Sequence, residues 1–335
     1  MKPMLCLSFF LLLSSLFGNE VRLRVVDETG APVEGANAVI SFLGVQQGQD
    51  DERKGLTDKD GRVSASGTTI LSICVTAKKE GHYDARIYNL TRKRDIDQLI
   101  VLPRITKPIP LYALDFRVGS GLDGIRFQDR CEWLGYDLEA GDWVQPYGKG
   151  KTVDIRFRFK NAFLGYEVNV KDLAKEMVSS RRGYAARKEE WTEEKFKRDA
   201  GKWDAELEIS FPGEKEGLCE EVERFLPYSA LKMPHQAPAD GYVPTWHYTA
   251  NNYSPRTARE NAGFFLRTRV KLDKDGNIVS ANYAKIIGDF QIDAARGHLV
   301  FSYYFNPEPN DRNLEFDPKK NLFPASFPGA NVNDP

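Results

Sequence analysis

The sequence predicts a mainly β protein: a small N-terminal β-sandwich, followed by a larger β-rich domain carrying one or two surface helices. Three observations lead there. Short apolar runs separated by Asp, Gly and Pro turn clusters recur from Val21 onward. Aromatic residues make up 12% of the chain and recur in alternating segments, which pleated, half-buried surfaces favour. Val153, Ile155, Phe157 and Phe159 alternate with Asp154, Arg156, Arg158 and Lys160, the period of a strand with one dry and one wet face.

In chain order, the first element is an export signal. Lys2 precedes an apolar run, Leu5 to Leu13, and the small residues Ser14, Ser15 and Gly18 follow, the layout of a signal peptide over residues 1–18. A bilayer crossing takes about 20 apolar residues. Asn19 and Glu20 end this run first, and no later stretch is apolar enough to span. A secreted or periplasmic/cell-envelope protein with no transmembrane segment after signal removal is expected. Cys6 lies inside the apolar run without a small residue before it, a poor match to a lipoprotein anchor. At 335 residues the chain exceeds one usual core, so residues 19–105 and 106–335 are read as two domains.

The charge balance narrows the partners. With 47 basic and 48 acidic residues the net charge is -1, which provides no global field for nucleic acid or anionic lipid. Signal removal leaves Cys74, Cys131 and Cys219, an odd number that cannot all pair within one chain. Cys74 sits in the apolar run Ile70 to Val75 and reads as a small buried hydrophobe. Cys131 and Cys219 are then either a bridge or two reduced, packed thiols.

In the N-terminal domain, Val21 to Val26, Ala36 to Leu43, Ile70 to Lys78 and Leu99 to Leu102 read as strands spaced for a sandwich. Asp27-Glu28-Thr29-Gly30 with Pro32, and Thr57-Asp58-Lys59-Asp60-Gly61, read as hairpin turns, because Asp bonds its own turn and Gly supplies positive φ. The polar insertion Gly44 to Lys54 reads as a solvated loop. The ordered set Val26 to Ala36, Thr57 to Gly61 and Ala77 to Tyr83 resembles the carboxypeptidase regulatory-like domain over residues 20–103. That resemblance implies an Ig-like, prealbumin-like (transthyretin-like) sandwich acting as a spacer, folding aid or binding module. It implies no catalytic residue.

Pro103, Pro108 and Pro110 break regular structure and place the boundary near residue 106. Beyond it, Phe264 to Asp273, the turn Lys274-Asp275-Gly276-Asn277 and Ile278 to Ile287 read as a long hairpin, and Leu299 to Phe305 as a further strand. Residues 171–202, rich in Lys, Glu, Arg and Ala, carry Leu173, Met177, Trp191 and Phe196 as sparse anchors, so one or two surface helices interrupted at Gly183 are expected. The tail from Asn306 is dense in Pro, Asn and Asp and is expected to stay irregular.

Chemistry is less legible. Asp58-Lys59-Asp60-Gly61 and Asp273-Lys274-Asp275-Gly276 are oxygen-rich turns, but neither completes a calcium-binding EF-hand loop. His82, His235, His247 and His298 are isolated, although His235 and His247 share a loop-rich stretch with Asp240. No metal or cofactor is expected, and nucleophile-elbow, phosphate-loop and dinucleotide motifs are missing from the sequence. Asp137, Glu139 and Asp142 lie in Gly135 to Trp143, where an extended chain would put Asp137 and Glu139 on one face beside aromatic rings. With Asp289 and Asp293 they are the candidates for a paired-carboxylate carbohydrate hydrolase. Tyr242, Trp246, His247, Tyr248 and Tyr253, with Arg256 and Arg259 nearby, form the candidate binding patch, since rings supply area and polar edges supply orientation. The same rings could instead plug a core. The leading expectation is a non-enzymatic envelope or extracellular protein that binds glycan or protein through the larger domain, with the hydrolase and a structural envelope scaffold as alternatives.

Overall fold

A computed structural model describes residues 18–46, 49–90, 95–115, 132–166, 197, 200–254, 259 and 261–335. The signal segment, Cys6, Cys131, Arg256 and the greater part of the expected helical stretch lie outside the described residues. The chain forms two compact units, one running to Ile105 and including Tyr228–Ala230, the other made of Thr106–Pro227 and Leu231–Pro335. The described residues are mainly β, arranged in four sheets.

The first unit contains β1 (Asn19–Val26), β2 (Asn37–Gln46), β3 (Gln49–Leu56), β4 (Arg62–Gly67), β5 (Ile73–Lys78), β6 (Ala85–Leu90) and β7 (Asp95–Val101). They form two sheets, β4-β1-β7 and β3-β2-β5-β6, with β1 antiparallel to β4 and parallel to β7. Alternation along β1 buries Val21, Leu23 and Val25 against Ala38, Ile40 and Phe42 of β2 and Ile73, Val75 and Ala77 of β5. Arg22 and Arg24 consequently face outward.

Three local expectations are corrected. The insertion read as a loop contains strand β3, which pairs with β2 from Asn37↔Leu56 to Phe42↔Asp51. It is an edge strand whose charged residues, such as Arg53 bonded to Asp51 at 2.9 Å, carry no hydrophobic alternation. The turns read as hairpins are corners between sheets: Asp27 to Gly30 leads from β1 toward β2, and Thr57 to Gly61 from β3 to β4. Their side-chain chemistry is what a hairpin turn would show, with Asp58 Oδ1 accepting from Asp60 N at 2.9 Å and Arg62 N at 2.8 Å. Buried Thr57 ties the corners together, accepting from Ala36 N and donating to the Val33 carbonyl. Gly61 has φ 73°, and a Cβ there would meet the Val25 carbonyl oxygen at 2.2 Å, so only glycine fits. Finally, β5 starts at Ile73, leaving Ile70 and Leu71 exposed before it.

The second unit contains β8 (Tyr112–Asp115), β9 (Leu134–Asp137), β10 (Asp142–Trp143), β11 (Ile155–Tyr166), β12 (Gly201–Ser210), β13 (Gly217–Glu221), β14 (Thr245–Asn251), β15 (Gly263–Leu272), β16 (Ile278–Asp293) and β17 (His298–Asn306). Two five-stranded sheets result, β10-β9-β11-β12-β14 and β13-β15-β16-β17-β8. The alternation holds from Ile155 to Lys160 within β11, with Ile155, Phe157 and Phe159 buried, whereas Val153 and Asp154 precede the strand and Asp154 is buried rather than wet. They pack with Leu207 and Ile209 of β12 in one core with Phe264, Leu266, Ile286, Phe301 and Tyr303 of the other sheet. The long hairpin forms as β15 and β16, closing at Leu272↔Ile278, and Leu299 to Phe305 lies within β17.

The other face of the β13-β15-β16-β17-β8 sheet is covered by Phe225, Met233, Leu314, Phe316 and Val332, which form a second core with Phe265, Tyr283 and Tyr304. The irregular tail therefore packs against the unit. Asn306, Asn313 and Asn321 supply the hydrogen bonds that an irregular backbone needs, for example Asn321 Nδ2 to the carbonyls of Ala113 and Ala330, both at 2.8 Å. No helix among the described residues is long and apolar enough to cross a membrane.

Candidate functional site

The open face of the β10-β9-β11-β12-β14 sheet is built by register. In β12, Asp204, Glu206 and Glu208 alternate with Ala205, Leu207 and Ile209, so the apolar set enters the core and the acids point out. Antiparallel pairing aligns β11, β12 and β14 into rows: Arg156–Ser210–Thr245, Arg158–Glu208–His247, Lys160–Glu206–Thr249 and Ala162–Asp204–Asn251. Basic β11, acidic β12 and neutral β14 thus lie side by side. Arg158 bonds Glu208 across the first two strands, and Lys160 Nζ stands 3.5 Å from the same carboxylate. These contacts hold the Glu208 acid below its ordinary range, the Arg158 hydrogen bond contributing most.

Two exposed rings flank this grid. The Arg158 guanidinium lies 4.7 Å from the centroid of Trp133, which is 39% exposed. At the opposite end Tyr253, 42% exposed, donates its hydroxyl to Asp204 Oδ1 at 2.5 Å, and Lys202 Nζ lies 5.6 Å from its ring centroid. The result is an open polar surface with an aromatic ring at either end.

The expected patch is spread over several places. Alternation along β14 turns Trp246 and Tyr248 toward the core, where Trp246 meets Phe264 and Tyr248 meets Phe290, and turns His247 to the open face beside Glu208. Tyr242 packs at the second core, donating to the Pro238 carbonyl at 2.9 Å beneath the Arg267 guanidinium. Of the described residues of the patch, only His247 and Tyr253 share the open face. Arg259 sits elsewhere, bonded to Glu220 and close to Asp289, and Tyr248 donates its hydroxyl to Asp289. Trp133 was not singled out by sequence reasoning. A usable signal was the Asp204-Ala-Glu-Leu-Glu-Ile209 alternation, which reports a wet, acidic strand face.

The candidate carboxylates are committed to structure. Asp137 and Glu139 do not share an extended face, because β9 and β10 form a tight hairpin pairing Asp137 with Asp142. Asp137 Oδ1 accepts from Glu139 N and Ala140 N, and Oδ2 from Lys151 N at 2.9 Å and Thr152 N at 3.0 Å. Asp142 likewise accepts from Trp143 N and Lys149 N, both at 2.8 Å. Arg269 then reaches from β15 to bond Asp154 at 2.8 Å, Glu139 at 2.5 Å and Asp137 at 3.2 Å. It does so from φ 54° at an irregularity in the β15–β16 pairing, a backbone setting that costs energy in a residue with a Cβ.

Burial opposes ionisation of Asp137, but backbone N–H donors and Arg269 outweigh it and hold its acid below the usual range. Asp154, with no exposed surface, is shifted upward by burial despite Arg269. Asp293 is also held down, by Ala295 N, Arg296 N and the Arg296 guanidinium against its burial. Glycoside hydrolysis needs one carboxylic acid kept protonated beside a second carboxylate, both open to substrate. Asp137 is held ionised and so cannot be the acid, its oxygens are taken by backbone N–H groups and Arg269, and Asp154 is sealed behind Arg269 and the Leu138 N–H.

Among the described residues no group of three or more His, Cys, Asp or Glu side chains could hold a metal ion. His235 lies 3.9 Å from Glu315, away from His247 on β14. Asp58 and Asp273 each spend Oδ1 on the N–H groups of their own turn. Cys74 and Cys219 carry free thiols, and burial, then Glu221, shifts the Cys219 thiol upward.

No family model matches the chain, and no curated protein matches it. Among solved structures it is similar to a Streptococcal ancillary pilin, 16% identical over 47% of this chain and 57% of that one, with a TM-score of 0.21. The chain thus spans little more than half the length of that pilin. A candidate carbohydrate binding protein from Bacteroides uniformis is 7% identical over 85% of this chain and 95% of its own, with a TM-score of 0.20. A DUF3823 family protein from Parabacteroides merdae is 8% identical over the same shares, with a TM-score of 0.18. Superpositions this loose carry no functional weight.

Proposed function

We propose that this chain is an exported, non-enzymatic envelope protein that binds glycan through the open face of the β10-β9-β11-β12-β14 sheet. The carrying observation is the polar grid of β11, β12 and β14 bounded by the exposed rings of Trp133 and Tyr253. Rings offer flat area to the apolar faces of sugars, while ordered guanidinium, carboxylate and imidazole groups bond hydroxyls along the chain between them. The engagement of Asp137, Glu139, Asp154 and Asp293 in structural bonds weighs against the hydrolase reading. The N-terminal sandwich serves as a spacer, as its likeness to the carboxypeptidase regulatory-like domain suggests, and the signal-like first 18 residues direct export.

A glycan array probed with the full chain, and with Trp133→Ala/Tyr253→Ala, tests the reading. Binding by the parent that is lost in a variant with unchanged thermal unfolding supports it. Absence of binding to any glycan by the folded parent overturns it and leaves the envelope scaffold, which the inward-facing Trp246 and Tyr248 would suit.

A further inference from the structure

The outward face of the β4-β1-β7 sheet carries a second constellation, independent of the glycan face. Register puts Arg24 directly opposite Arg62 of β4 and beside Leu99 of β7; one row on, Arg22 lies between Ser64 and Asp97. Arg22 is ion-paired on both sides, with Nε 2.8 Å from Asp97 Oδ1 and an Nη 2.7 Å from a Glu20 oxygen. Arg24 and Arg62 have no ion pair among the described residues, and Asp58 at the rim directs Oδ1 to backbone N–H groups. Like charges directly opposite on an antiparallel pair destabilise the sheet. Acids exist on the same face, yet these two arginines stand opposite each other in the register without one.

Around them lies an open cavity of about 730 Å³, lined also by Ser64, Leu99 and the carboxylates of Asp58 and Asp97, the latter bonded to Arg22. That volume is far beyond an inorganic ion and within the ~300–1,000 Å³ range of organic-ligand sites. We propose that this cavity binds a carboxylate-bearing saccharide. The forked donors of Arg24 and Arg62 match the two oxygens of a carboxylate. The Ser64 hydroxyl supplies a partner for ring hydroxyls, and Leu99, 53% exposed, offers an apolar surface to a sugar face.

The test is fluorescence anisotropy with labelled trigalacturonate titrated into the full chain. The parent is expected to bind, more weakly as salt rises, and Arg24→Gln/Arg62→Gln to bind at least tenfold more weakly. Both arginines are exposed and of like charge, so this variant should unfold at or above the parent's temperature. Trp133→Ala/Tyr253→Ala should bind as the parent does, which separates this proposal from the glycan face. It is overturned by no binding, by unchanged binding in the arginine variant, or by equal affinity for the neutral methyl ester. Equal affinity for triglutamate would also overturn it, assigning the cavity to acidic peptide instead.

Discussion

Lys285 points its ammonium at the ring of Tyr304, Nζ 4.7 Å from the centroid, and has no hydrogen-bond partner among the described residues. The two are cross-strand partners on β16 and β17, and Lys285 has no exposed surface. Burial shifts its amine down to about 7, only partly offset by the charge of Glu315.

That shift fixes a pH dependence. The folded value of about 7 lies below the 10.5 of an ordinary lysine, so between those values the unfolded chain holds the proton and the folded chain does not. The residue's penalty is full below pH 7 and fades as pH rises through the window. Lys285→Met should therefore stabilise the protein near pH 7, by an amount comparable to the ~1–4 kcal/mol found when a buried ion pair gives way to hydrophobes. The gain should shrink toward pH 10. Urea unfolding of both proteins across this range checks it, and a variant less stable than the parent would contradict it.

Arg269 compensates Asp154, which is wholly buried. Arg269→Ala should cost about 3–5 kcal/mol, because it strands a buried carboxylate. Adding Asp154→Asn should recover a substantial part of that loss. Equilibrium unfolding in a double-mutant cycle measures the coupling, and simple additivity would show that the two are not an energetic unit.

Gly61 and Gly276 both occupy left-handed backbone in Asp-Gly turns, at φ 73° and 79°, but in different surroundings. A Cβ at Gly276 meets nothing within 4 Å, so Gly276→Ala should cost about 1–2 kcal/mol from backbone strain alone. At Gly61 the Val25 carbonyl stands in the way, and Gly61→Ala should cost clearly more. Equal shifts in the two unfolding midpoints would refute the corner packing described for the first unit.

What the sequence made legible was local. β11 and the β15–β16 hairpin were readable because two-residue alternation and an Asp-Gly turn are complete within about 25 neighbouring positions. β3 was not, because an edge strand rich in Asp, Glu, Arg and Lys has the composition of a loop. Thr57 to Gly61 hid its change of sheet because an Asp-capped turn looks alike in a hairpin and at a corner. Alternation in Trp246-His247-Tyr248 separates the rings from the imidazole, but only the packing of Trp246 on Phe264 tells which side is dry. Arg269 meets Asp154 across 115 positions, a distance over which the sequence carries no pattern.

The most direct measurement is calorimetric titration of the tightest array glycan into the parent, Trp133→Ala, Tyr253→Ala and the double variant. The account predicts that each ring contributes and that removing both weakens binding at least tenfold, about 1.4 kcal/mol, with the unfolding temperature unchanged. Parent-like affinity in the folded double variant would contradict it and move the glycan site off this face.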